Sequence, residues 1–164
     1  MRCGRRLGFV VVVAGVLSLN AHAAVAQTKD DPLIGRWTLD RARSEFSGNV
    51  PEKRVTWFQL MPDGRLKHIT ETVIANGSTD KVEYSSKFDG KDVPISNSFL
   101  WQVSVKRVDA RTTERSGKVD GQVVETSTRT VSPDGQTLTI VTTGTNGGNE
   151  YSSTQVFTRD KAGS

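Results

Sequence analysis

The stretch RTTERSGKVDGQVVETSTRTVSPDGQTLTIVTT, residues 111–143, holds two turn signals, Asp120-Gly121 and Pro133-Asp134-Gly135, between three runs rich in Thr and Val. β-Branched side chains suit a pleated surface, and Asp-Gly favours the positive-φ pair of a two-residue hairpin turn. The stretch therefore reads as three antiparallel strands, Arg111 to Val119, Gln122 to Val131 and Thr137 to Thr143. Similar signals recur at Pro62-Asp63-Gly64, Asn76-Gly77, Asp89-Gly90 and Asn146-Gly147-Gly148, and most intervening segments are 8 to 12 residues long. They predict further strands near Gly35 to Asp40, Lys53 to Leu60, Arg65 to Ala75, Lys81 to Phe88, Asp92 to Ile95, Leu100 to Val108 and Tyr151 to Arg159. From residue 27 onward 18 Thr and 14 Val stand against 6 Leu and 4 Ala, which disfavours helices throughout. Only Arg41 to Phe46 reads as helical, a turn or two opened by Asp40 as N-cap and stopped by Gly48. The fold class is all-β, an antiparallel meander closing into a barrel or sandwich. No βαβ unit and no glycine-rich phosphate loop appear, so the usual nucleotide-binding architectures are excluded.

Residues 1–26 read differently. Arg2, Arg5 and Arg6 precede an apolar run from Leu7 to Leu19, and Ala24-Val25-Ala26 before Gln27 is a small-x-small cleavage site. This predicts a cleaved export signal and a periplasmic or secreted location. The apolar run is well short of the roughly 20 residues a membrane-spanning helix needs, and no other stretch is a membrane candidate. The expected organisation is a signal over 1–26, a short lead over 27–34, a β-domain over 35–160 and a tail over 161–164. The whole chain carries a net +4, but the signal holds three basic residues and no acidic one, leaving 19 basic against 18 acidic residues, a net +1. A near-neutral domain offers no clustered basic face for nucleic acid. Cys3, the only cysteine, lies in the signal, so the remainder has no disulfide and no thiol chemistry.

Alternation assigns faces where it is clean. Val82, Tyr84, Ser86 and Phe88 oppose Lys81, Glu83, Ser85 and Lys87, while Trp101, Val103 and Val105 oppose Gln102, Ser104 and Lys106. Arg111 to Ser116 has no apolar residue on either face. Either a wet cavity lies inside that hairpin, or the hairpin projects beyond the core into solvent. Arg129 shares a face with Glu125 and Ser127. Pointing outward it makes a solvated ion pair; pointing inward it suits an anionic ligand group. Trp57 and Phe58 fall on opposite faces, so one fills the interior while the other is covered or marks a partner surface. His68 is the one histidine after residue 26, which excludes a His-His metal pair and a catalytic triad. Asp89 and Asp92 flank a hairpin turn and are too few for a calcium site. No metal, cofactor or catalysis is expected.

Gly35-Arg36-Trp37 opening the first strand, followed by Leu39, Asp40, Ser44 and Phe46, with a ten-strand meander and Arg159 near the chain end, resembles the lipocalin and calycin group of small ligand-binding barrels, in particular small exported bacterial proteins with lipocalin-like domains. The resemblance implies a lipocalin-like β-barrel of 8 to 10 strands. It assigns Gly35, Trp37 and Arg159 a structural role, the Trp closing one end of the barrel beneath a basic side chain from the last strand. It also implies a small, mostly apolar ligand, with Trp57, Tyr84, Trp101, Arg129, Tyr151 and Gln155 as lining. The fatty-acid branch of the group holds its ligand carboxylate with Arg-x-Tyr on the last strand. Gln155-Val156-Phe157 stands there instead, and Arg41 to Glu52 is too short for that branch's helical pair. The alternative is a cell-envelope protein-interaction module with a filled core.

Overall fold

Asp120 and Gly121 take φ values of 48° and 73°, the paired positive angles of a type I′ turn. That turn joins β8 (Thr112–Val119) to β9 (Gln122–Val131), whose register shifts once, between Gly117 and Lys118. The structure is a computed structural model that describes residues 28–161. The expected signal and most of the expected tail lie outside the described residues. Around the central hairpin the chain forms β1 (Gly35–Leu39), β2 (Glu45–Phe46), β3 (Lys53–Leu60), β4 (Leu66–Val73), β5 (Thr79–Ser86), β6 (Asp89–Pro94), β7 (Gln102–Arg107), β10 (Thr137–Asn146) and β11 (Asn149–Arg159). The helical expectation for Arg41 to Phe46 holds for half its length. Asp40 caps a 3-10 turn over Arg41–Arg43, and then Glu45–Phe46 pairs with β11 as a two-residue strand.

The sheet runs β5-β4-β3-β1-β11-β10-β9-β8-β7-β6, every pairing antiparallel; the outer strands β5 and β6 form no ladder with each other, and an isolated bridge joins Glu83 of β5 to Ser96 just past β6. The result is a nearly closed ten-strand barrel. Its two ends differ. At one end Leu33, Trp37, Leu66, Phe88, Leu138 and Phe157 pack into an apolar plug, each no more than 4% exposed. The Trp37 indole N–H donates to Leu33 O at 2.9 Å, and Arg159 stacks 4.0 Å from the Trp37 ring. Arg159 also donates to the carbonyls of Pro32, Ile34 and Gly135 at 2.5–2.6 Å, and a buried Arg107–Asp31 ion pair pins the lead to β7. A Cβ on Gly35 would lie 2.6 Å from Arg159 Nη1, so the three residues singled out in sequence form one lock.

Two face assignments from sequence are corrected. Phe58 is the interior member of its pair, 2% exposed, while Trp57 lies outside beneath the Arg36 guanidinium at 5.4 Å. Phe58 itself is therefore not on the surface. Trp101 precedes β7 and is 59% exposed, although Val103 and Val105 on the same alternating face are fully buried. Leu100 turns in where Trp101 was expected, filling the space above Gly117, where a Cβ would meet Leu100 at 2.6 Å.

Candidate functional site

Antiparallel alternation puts the β4–β5, β6–β7, β8–β9 and β10–β11 connections at the end opposite the plug. There the barrel encloses a cavity of about 760 Å³. Of the six residues expected to line it, Tyr84, Arg129, Tyr151 and Gln155 do so, whereas Trp57 and Trp101 do not. The alternatives left open for the β8–β9 hairpin are resolved by Val131: it is 1% exposed in the core, so every second residue before it, Arg129, Ser127 and Glu125, faces inward. The hairpin does not project into solvent; it forms the polar wall of the cavity.

The wall is organised in pairs. Arg115 and Glu125 form a buried ion pair, and the Tyr151 hydroxyl donates to the other Glu125 oxygen. Tyr151 can reach inward because position 144 is glycine; a Cβ there would sit 2.7 Å from the Tyr151 hydroxyl and 2.8 Å from Val124 O. Burial and the Glu125 carboxylate push the Tyr151 hydroxyl above the usual tyrosine range. On the opposite wall His68 is sandwiched between Phe58 at 4.6 Å and Tyr84 at 4.9 Å. Its Nε2 shares hydrogen bonds with the hydroxyls of Thr56 and Thr70 at 2.8 and 3.2 Å. Burial, followed by the Arg129 and Arg115 cations, lowers its pKa well below 6.5, which leaves a neutral ring.

Arg129 is the least satisfied side chain of this wall, the one with two unpartnered atoms. It is 3% exposed and 5.7 Å from the Phe58 ring, and its Nε and Nη1 have no hydrogen-bond partner in the protein. Glu125, the acid expected beside it, is taken by Arg115. Burial lowers the Arg129 pKa, with Tyr84 opposing that effect and Arg115 adding to it, yet a guanidinium stays protonated in proteins. Among the described residues, seven buried side-chain atoms lack a partner. They belong to Thr113, Arg115, Ser127 and Arg129 on β8–β9, and to Tyr84 and His68 facing them. The unmet hydrogen-bonding capacity is thus concentrated in one place.

Arg54, which sequence reading passed over, lies on the same cavity nearer its open end. Its Nη1 donates to Gln155 Oε1 at 2.6 Å and its Nε to Thr72 Oγ1 at 3.0 Å. Alternation back from Phe58 through Thr56 would have placed it inside. Aliphatic and aromatic surface comes from Val82, Ile140 and Phe157, and the rim from Phe46, Phe99 and Leu100.

No protein-family model and no curated protein matches the chain. Solved structures do. A fatty acid binding protein of Schistosoma mansoni in complex with arachidonic acid is 16% identical, with a TM-score of 0.54 over 79% of this chain and 97% of that one. The wild-type fluorescent protein UnaG is 13% identical, with a TM-score of 0.51 over 78% of this chain and 97% of that one. At these identities the likeness shows the fold alone, a nearly closed antiparallel barrel like those of the two proteins.

Proposed function

We propose that this protein is an exported barrel that binds a small amphipathic acid, with the acidic group on Arg129 and the apolar body against Val82, Ile140 and Phe157. The observation that carries the reading is the buried Arg129 guanidinium with two unpartnered nitrogens on a large cavity. An unpaired buried charge costs several kcal/mol, and an oxyanion entering the cavity recovers that cost through charge-assisted hydrogen bonds. Tyr84, Ser127 and Thr113 add hydroxyls in the same neighbourhood. The sequence expectation of a mostly apolar ligand is narrowed accordingly, since the threonine-rich wall of Thr56, Thr70, Thr72 and Thr142 favours a ligand with polar groups along its length. The filled-core interaction module is disfavoured by a cavity of the size small-molecule sites have, roughly 300 to 1,000 Å³.

Titration with anilinonaphthalene sulfonate, a sulfonate on an apolar ring system, tests this. Saturable binding to the native protein and at least a tenfold loss in Arg129→Met are expected. Equal affinity in the two proteins, or no saturable binding, would overturn the reading. For the location, N-terminal sequencing of the protein recovered from outside the cytoplasm should begin at Gln27.

A further inference from the structure

The cavity lining is net positive by one charge, and its cations and anions are unevenly matched in contact. Its lining holds three guanidiniums, Arg54, Arg115 and Arg129, and two carboxylates, Asp80 and Glu125. Glu125 is consumed by Arg115. Asp80 is exposed at the rim, and among the described residues neither Arg54 nor Arg129 has a carboxylate within 4 Å. Two cations therefore remain without a contact counter-charge.

Arg54 on β3 meets the cross-strand row of Arg129 through a side-chain contact. Arg129 pairs with Ile140 on β10, Ile140 pairs with Gln155 on β11, and Gln155 receives the Arg54 guanidinium. The Arg129 guanidinium lies 5.7 Å from the Phe58 ring, and Phe58 stands four residues deeper along β3 than Arg54, about 13 Å of strand. The two cations therefore meet partners at different depths of the barrel, Arg129 beside Phe58 and Arg54 beside Thr72 and Gln155. Arg54 is also held ready. Gln155 Nε2 is anchored on Ser153 Oγ at 3.0 Å, which orients its carbonyl toward Arg54. Thr72 takes the Arg54 Nε, and three of the five guanidinium donors stay unengaged. Both partners are neutral, so they position the cation without cancelling it.

We infer that the ligand is a diacid, with one anionic group on Arg129 in the depth of the barrel and the second on Arg54 toward its open end. Ile140 lies between the two and faces the cavity, matching an apolar spacer. The inference rests on the reading of Arg129 as an acid site and adds the second anchor.

Calorimetric titration of the native protein with straight-chain α,ω-dicarboxylic acids from six to twelve carbons, each against the monocarboxylic acid of equal length, separates the two ideas. A second carboxylate without a cation waiting for it is costly to bury, so a one-anchor cavity binds each diacid more weakly than its monoacid. The two-anchor cavity binds the diacid of matching length at least tenfold more tightly. Arg54→Gln is expected to erase that preference, so that each diacid binds no more tightly than its monoacid, and Arg129→Gln to weaken both series. Monoacids that bind as tightly as diacids at every length overturn the inference and leave the acid-binding reading standing. If neither series binds, both fall. The decisive comparison uses the native protein, so it does not depend on any variant folding.

Discussion

Arg159 and Arg129 are the same side chain put to opposite uses at the two ends of one barrel. Arg159 gives its donors to three backbone carbonyls and its flat face to Trp37; Arg129 is more deeply buried and leaves two nitrogens without a partner. A buried group whose hydrogen bonds are complete is part of the scaffold. One left incomplete is an expense that folding alone does not explain, and a binding partner does.

The contrast can be broken at several points. The largest effect is expected from Arg159→Met, which strands three carbonyls and removes the cation from Trp37. Urea unfolding should show a loss of about 3 kcal/mol, and a loss below about 1 kcal/mol would dissolve the lock. Arg129→Met should move stability in the other direction. Replacing an uncompensated buried charge with a similar apolar chain should raise unfolding free energy by about 1 to 3 kcal/mol in the ligand-free protein, even as acid binding is lost; destabilisation would show that Arg129 is structural after all. A third measurement reads the field around Arg129 through His68. Because the folded-state pKa lies well below 6.5, the unfolded chain takes up a proton first as pH falls. The neutral ring's contribution is therefore complete above pH 6.5 and declines below it, by at most about 1.4 kcal/mol per pH unit. Thermal melts between pH 7.5 and 5.5 should show this slope, a shallower one in Arg129→Met, and none from this source in His68→Gln. The smallest effect belongs to Trp101→Ser. With its ring in solvent, stability should shift by less than about 0.5 kcal/mol and acid affinity not at all, and a clear loss of affinity would return Trp101 to the lining.

The scaffold end was more legible in the sequence than the site. Lys53–Leu60 and Gln122–Val131 are delimited to the residue by the flanking turn and loop residues, and Gly35, Trp37 and Arg159 lie together at one end. Those features depend on local turn chemistry and on a pattern near the chain ends. The site depends on which way a strand faces, and that is decided by distant packing. Arg111 to Ser116 offers no apolar residue to fix its orientation, so only the register running back from buried Val131 turns Arg129 inward. Trp101 was misplaced because an unbroken alternation was extended one residue past the strand, to where Leu100 claims the interior. Trp57 and Phe58 are equivalent in hydrophobicity, and nothing local distinguishes them. Arg54 was overlooked because a charged residue at a strand start ordinarily belongs to solvent.

The seam between β5 and β6 bears on how the protein lives among other copies of itself. Two unpaired strand edges side by side invite a neighbouring chain to add on, the first step toward aggregation. Here the edge is occupied by the protein's own loop. Ser96 N–H and Oγ both donate to Glu83 O, and Asn97 Nδ2 donates to Lys81 O. The facing strand carries a register shift between Asp89 and Asp92 and ends at Pro94, which has no N–H to offer. The barrel can thus leave its circumference unlatched without presenting a template, and three hydrogen bonds to two carbonyls do the work of a missing ladder.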